Sequence, residues 1–260
     1  MLKIIMSFDD GRKDNYRVAK DVLEPLGIPA TFNVTTGYIK NDIDEKDKPG
    51  PHSPMTIDEL KELSSNDLFE IAGHGVTHDN EIHNLLNSVI ELRDICGDGK
   101  KICGIASPHS EFDLKQFEEA KELFMSNGIC YLRISNDYSK MSRIKIWVRR
   151  FNRILHSGSL YYWVNNDSIM DNPSELLFSI PVIRDNRLHE VKSFVEKALK
   201  RRENGICILM FHSILFPEDK YYNDLFSWDF CDFRLLCEFF DKLREKKKVD
   251  IVTTSSLYEI

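Results

Sequence analysis

Residues 2–11 read LKIIMSFDDG. An apolar run, from Leu2 to Phe8, stops at two adjacent carboxylates, Asp9 and Asp10, followed by a glycine. In parallel α/β folds the groups that bind and react gather at the carboxyl ends of the strands. An apolar strand that terminates in an acid pair is therefore a candidate for the first wall of a site. Whether it is one depends on what the other strands deliver to the same end.

Further apolar runs alternate with stretches of helical period along the chain. The strand candidates are 29–35 (PATFNVT), 68–74 (LFEIAGH), 101–108 (KICGIASP), 129–135 (ICYLRIS), 205–212 (GICILMFH) and 249–255 (VDIVTTS). Between them, residues 14–27, 56–65, 81–96, 113–128, 186–204 and 232–247 carry helical spacing. Thr56 and Glu59 form a capping box that starts the second of these helices. Residues 37–55 read as a long polar loop, and 145–151 (KIWVRRF) and 159–164 (SLYYWV) as further strands. The pattern predicts one domain, residues 1–260, of mainly parallel α/β type. Periodicity leaves an open doubly wound sheet and a barrel equally open. No glycine-rich phosphate fingerprint follows the first strand.

The chain has 260 residues, 42% hydrophobic and 30% charged, with a net charge of −7. This composition suits a globular domain and argues against general nucleic-acid binding. No window reaches the roughly 18 apolar residues of a membrane span. The N-terminus lacks a signal-peptide pattern, so cytoplasm is the expected compartment. None of the six cysteines forms a C-x-x-C pair, and buried reduced thiols are expected.

The strand ends converge on one chemistry. The first gives Asp9 and Asp10, the run 68–74 leads to His74 and His78, 101–108 leads to His109, and 205–212 ends in His212. Gly73 and Gly75 flank His74, so a tight turn rather than a helix is expected to hold the two histidines. Two imidazoles and one carboxylate make a three-ligand set that leaves a position for water, as catalytic zinc requires. Zn²⁺ suits such ligands best, and Co²⁺, Ni²⁺ or Fe²⁺ are also accommodated.

The ordered series SFDDG, HGVTH, SPHSEFD and LMFH resembles the motif series of the polysaccharide deacetylases, carbohydrate esterase family 4. The resemblance runs from Ser7 past His212. It implies a distorted (β/α) barrel of about seven parallel strands, and so decides between barrel and open sheet. It also implies Asp10, His74 and His78 as metal ligands, Asp9 as general base, His212 as general acid, and the backbone N–H of His109 as an oxyanion donor. The implied reaction is metal-dependent removal of an N-acetyl (N-acyl) group from an amino sugar of a surface glycan or its precursor, nucleotide- or lipid-linked forms included. The alternatives are a deformylase or cyclic-amide hydrolase on the same scaffold, and a non-catalytic carbohydrate-binding relative. The oligomeric state is left open.

Three departures stand out. Arg12 replaces the usual proline after Asp-Asp-Gly. Ala106 and His109 stand where the common third motif has an arginine, which braces the catalytic aspartate, and a tyrosine; members with a Pro-Tyr-Gly-Glu-Tyr-type third motif also lack that arginine. The aspartate that orients the acid histidine has only Asp137 as a candidate. For substrate contacts, the basic run 143–153 offers Arg149, and the aromatic stretch after His212 offers Tyr221 and Trp228 as a platform, or else a cap on the barrel end.

Overall fold

The computed structural model describes residues 1–41, 53–97, 101–110, 112, 114–135, 142–201 and 204–258. Seven parallel strands form a closed barrel: β1 (Leu2–Phe8), β2 (Ala30–Val34), β3 (Phe69–Gly73), β4 (Gly104–Ala106), β5 (Tyr131–Ser135), β6 (Leu176–Pro181) and β7 (Gly205–Phe211). β7 closes on β1 in register from Leu2↔Gly205 to Phe8↔Phe211. The distortion lies on the other edge of β1. Only Ser7 and Phe8 pair with β2, while Leu2–Ile4 pair with a late strand, β10 (Val249–Ile251), wedged in from outside the ring. The barrel expectation holds, and the last apolar run is a flank of the ring rather than a stave.

Alternation along the strands sorts two layers. Leu2, Ile4, Met6 and Phe8 face the surrounding helices, and Phe8 stacks between Phe32 and Phe211 at centroid distances of 5.1 and 5.5 Å. The opposite set fills the barrel. Its floor is apolar, with Ile5, Leu177, Ile206 and Ile208 against Tyr131. Above the floor lies a polar tier in which Arg133 donates to Ser179 and Asn33 donates to Ser7. That tier carries the site.

Gly104 is dictated by this packing. A Cβ there would stand 2.0 Å from the Tyr131 ring, whose hydroxyl is tied to Glu70 at 2.7 Å. With no room to shift, Gly104→Ala is expected to cost at least the ~1–3 kcal/mol of an overpacked core, read as a lower denaturation midpoint.

The helices are α1 (Lys13–Val18, continued by a wide turn at Ala19–Leu23), α2 (Thr36–Lys40), α3 (Ile57–Ser65), α4 (Ile82–Cys96), α5 (Leu114–Ser126), α6 (Arg143–Leu155), α7 (Gly158–Asn165), α8 (Leu188–Arg201) and α9 (Phe230–Glu245). β8 (Ser213–Leu215) and β9 (Ser227–Asp229) form a small separate ribbon between β7 and α9. The capping box at Thr56 is present, with Glu59 N–H donating to Thr56 Oγ1 and Thr56 N–H to the Glu59 carboxylate. The start of the expected 37–55 loop is helical, and residues 42–52 lie outside the described set. Two strand expectations fail. Residues 145–151 and 159–164 are helical, in α6 and α7. Ser142 caps α6 by accepting from Lys145 N–H, and His156 ends it in the left-handed conformation. A period of two fitted Ile146 and Val148, but the longer stripe at 144, 147, 151, 154 and 155 has helical period. The cysteines are free; Cys103, Cys207 and Cys237 are buried, while Cys231 is exposed.

Candidate metal centre and active site

The barrel's carboxyl-end rim encloses a cavity of about 520 Å³. Asp9, His74, Ser107, Ser135, Pro181 and His212 line it, each the last residue of a strand or the one after. Parallel topology alone brings them together.

Asp10 and the two histidines meet at its base. Asp10 Oδ1 lies 3.4 Å from His74 Nε2 and 3.1 Å from His78 Nε2, and the three ligand atoms are within 4.8 Å of one another. His74 Nδ1 stands 2.9 Å from the Ala106 carbonyl, which accepts and so places the proton on Nδ1. The Nε2 lone pair then points at Asp10 Oδ1, a buried oxygen with no hydrogen-bond partner. Burial pushes the His78 imidazole below its ordinary value, so it favours the neutral form a metal needs. Electron pairs facing one another in a buried site call for a cation between them. The donor set fits a divalent metal such as zinc.

The local backbone is bent to serve this cluster. Asp10 has φ 78° and His78 φ 60°, conformations that cost non-glycine residues energy and are retained where the surroundings enforce them. After β3 the chain turns through Gly75 at φ 78°, where a Cβ would meet Asn84 Oδ1 at 2.8 Å. Asn84 accepts from Val76 N–H and donates to Thr77, which holds the turn that presents His78. The histidines share a turn, as Gly73 and Gly75 predicted, and not a helix face.

Each carboxylate has its own arginine. Arg12 donates from Nε to Asp10 Oδ2 at 2.8 Å and adds a second bond from its terminal nitrogen, leaving Oδ1 for the metal. Burial alone would push Asp10 up, but the Arg12 guanidinium holds it well below the usual carboxylate range. Asp9 is gripped at Oδ1 by Arg133, and by Asn33 at 2.8 Å. Arg133 outweighs the burial that would raise Asp9 and keeps it below its ordinary value. Arg133 comes from the middle of β5, and it does the bracing expected of the arginine missing at Ala106. The reading from sequence passed over it. Its signal was a lone charge inside an apolar strand, YLRIS, which needs a buried partner.

His212 follows β7, accepts from Asn15 at its carbonyl, and lies against the Phe226 ring at 4.9 Å. Its Nδ1 is buried without a partner. Asp137, the expected orienting acid, lies outside the described residues. His109 sits in a tight turn at φ 53°, with its ring 4.5 Å from that of His78. Arg149 lines the cavity wall from α6. The aromatic platform is not where it was expected. Trp228 is 3% exposed, packs on Phe211, and donates its indole N–H to Asn186; it is a core residue capping the barrel end. Tyr221 is absent from the cavity wall, where Leu225 and Phe226 stand instead.

In the metal-free protein burial pushes His212 down to about 4 from an ordinary value of 6.5. Between those values the unfolded chain binds the proton and the folded chain does not. Stability is therefore full above pH 6.5 and falls on acidification toward 4. Denaturation midpoints of metal-stripped protein should decline across that window, and less so for His212→Gln; parallel declines would refute the assignment.

Fold and site together define the class: a (β/α)-barrel protein with a candidate Asp–His–His divalent-metal centre at the carboxyl rim. Residues 3–125 match the family described as polysaccharide deacetylase. Over that segment the chain is similar to the polysaccharide deacetylase family. Asp9, Asp10, His74, His78 and His109 lie inside the matched segment; Arg133 and His212 lie beyond it. The structure resembles that of a family 4 carbohydrate esterase from Bacillus anthracis, at 17% identity and TM-score 0.50, over 98% of this chain and 81% of that one. It also resembles a mutant of a family 4 pseudoenzyme with restored enzymatic activity, at 12% identity and TM-score 0.51, over 98% of this chain and 66% of that one. A de-N-acetylase from Aggregatibacter actinomycetemcomitans matches 51% of this chain at 18% identity and TM-score 0.41. This chain covers 63% of that protein's length, less than two thirds. No curated protein matches the chain.

Proposed function

We propose that this chain is a metal-dependent N-deacylase that removes an acetyl group from an amino sugar of a surface glycan or its precursor. One observation carries the reading. A carboxylate oxygen without a hydrogen bond faces two imidazole nitrogens, and a second, arginine-braced carboxylate stands beside it at the same strand end.

Asp10, His74 and His78 would hold the metal, which supplies Lewis acidity toward the acyl carbonyl and makes water more acidic. Asp9 is the base. Its Oδ1 is taken by Arg133 and Asn33, and its Oδ2 has no hydrogen-bond partner among the described residues, so Oδ2 is the atom that receives the proton of the attacking water. His212 is neutral at rest, so it gives a proton to the leaving amine only after taking one. The proton collected at Asp9 is the source, and His212 Nδ1, which has no competing partner, can exchange it. The His109 backbone N–H is the oxyanion donor in this scheme, on a left-handed turn that lines the cavity. The cavity volume admits a sugar with an attached group. Arg149 suits a phosphate on that group, in keeping with a nucleotide- or lipid-linked substrate. Residues 1–260 act as one catalytic domain in this scheme.

The test is a panel of N-acetylated amino sugars, N-formylated amino sugars and cyclic amides, offered to metal-stripped protein refilled with Zn²⁺, Co²⁺, Ni²⁺ or Fe²⁺. Acetate release above background is the expected result. Formate release or ring opening alone would transfer the site to a deformylase or a cyclic-amide hydrolase. Sugar binding without turnover under every metal would make the chain a non-catalytic relative.

A further inference from the structure

α6 is amphipathic, and its apolar face is turned outward. Ile144, Trp147, Phe151, Ile154 and Leu155 occupy a stripe of helical period, and Ile144, Trp147 and Ile154 are 68%, 65% and 77% exposed. Single exposed apolar residues are ordinary, but five aligned on one helix face are not. The Trp147 and Phe151 rings stack at 5.5 Å and form a flat apolar plate. The helix also carries five cations and no acid: Arg143, Lys145, Arg149, Arg150 and Arg153. Lys145 and Arg153 pair with Asp167 and Asp185, whereas Arg143 and Arg150 border the stripe, exposed and without an ion pair among the described residues.

We propose that α6 is a membrane-docking helix that seats its apolar stripe in the interface of an anionic lipid surface. Aromatic and aliphatic side chains on one face with cations alongside are what a helix lying in the headgroup plane requires. Charge selects the occupant. The chain carries a net −7, so an anionic surface repels most of it and attracts this helix, which orients the molecule. A second copy docking through the same stripe would bring Arg143 and Arg150 against their own counterparts, whereas acidic headgroups neutralise them. Asn152, on the inner side of α6, is buried against Glu190 at 2.6 Å, so the helix is fixed to the barrel while its outer face is bare. Arg149 and Arg153 of the same helix line the cavity, so docking places the cavity beside the headgroup layer.

The test is co-sedimentation of the full chain with phosphatidylcholine vesicles, with and without phosphatidylglycerol, at low and high salt. It needs no turnover, so it succeeds or fails independently of the proposed hydrolysis. The chain is expected to sediment with phosphatidylglycerol vesicles, less with pure phosphatidylcholine, and less at high salt. Trp147→Glu should weaken binding by at least roughly tenfold, and Arg150→Gln by about fivefold. Leu235→Glu, at a comparably exposed leucine of α9, should change nothing. Unchanged circular dichroism of each variant excludes unfolding as the cause. No sedimentation at low salt, or equal sedimentation of Trp147→Glu, would overturn the proposal. A dimer that Trp147→Glu dissolves, without vesicle binding, would assign the face to a second copy instead.

Discussion

Asp10→Ala is expected to strip the purified chain of its metal and to bring hydrolysis down to background. Asp10 supplies the oxygen around which the two imidazoles close, and no other carboxylate among the described residues joins that cluster. Loss of an outer partner of a metal ligand already costs roughly 10–100-fold in affinity, and loss of the ligand itself costs more. The variant also leaves Arg12, 7% exposed, without its carboxylate. Asp10→Asn is therefore the companion variant, because it keeps the shape and removes the charge. Elemental analysis beside the unaltered chain reads the outcome. Equal metal content in all three proteins would dissolve the ligand set and the proposed activity with it. Arg12→Met asks a finer question, because it frees Asp10 Oδ2 while sparing Oδ1. A change of roughly 10–100-fold in metal affinity is expected for this outer partner.

Arg133→Met should have the largest effect on stability. The Arg133–Asp9 pair is almost wholly buried, with side chains 2% and 3% exposed. Removing one partner strands the other charge, at about 3–5 kcal/mol. Asp9→Asn combined with Arg133→Met removes both charges and should recover much of that loss without recovering activity. The two substitutions are thus strongly non-additive in denaturant midpoints. Additive losses would show that the pair does not act as a unit. Kinetics adds a second readout. Without Arg133, burial is left to raise Asp9, so the acid limb of the pH–rate profile should move to higher pH.

These two arginines mark the boundary of what could be read before the fold was known. Asp9, Asp10, His74, His78 and His212 were legible because each closes an apolar run or lies in the turn just after one, and position relative to a strand is a local property. Arg12 was visible as a departure, but its partner two residues away was not, since the turn at Asp10 and not the spacing brings the fork onto Oδ2. Arg133 was hidden altogether. It stands 124 positions from Asp9, and only closure of the ring sets β5 opposite β1. α6 was misread for a related reason. Its aromatic and β-branched residues suit a strand as well as a helix when the window is short, and the cap at Ser142 and the packing of Asn152 settle the matter. Trp228 misled in the opposite direction. An aromatic near a site in sequence was left between a sugar platform and a cap on the barrel end, and burial against Phe211 decides for the cap.

By itself, then, the sequence determined the parallel α/β plan, the rim on which the chemistry lies and the acid and imidazole groups assembled there, because strand period and strand ends are written in adjacent residues. Tertiary structure alone decided the bracing of each carboxylate, the orphaned oxygen between two imidazoles, the true cavity wall and the outward face of α6. Those depend on which distant residues become neighbours when β7 meets β1, and on which surfaces that closure leaves uncovered, and neither quantity has a local signature in the chain.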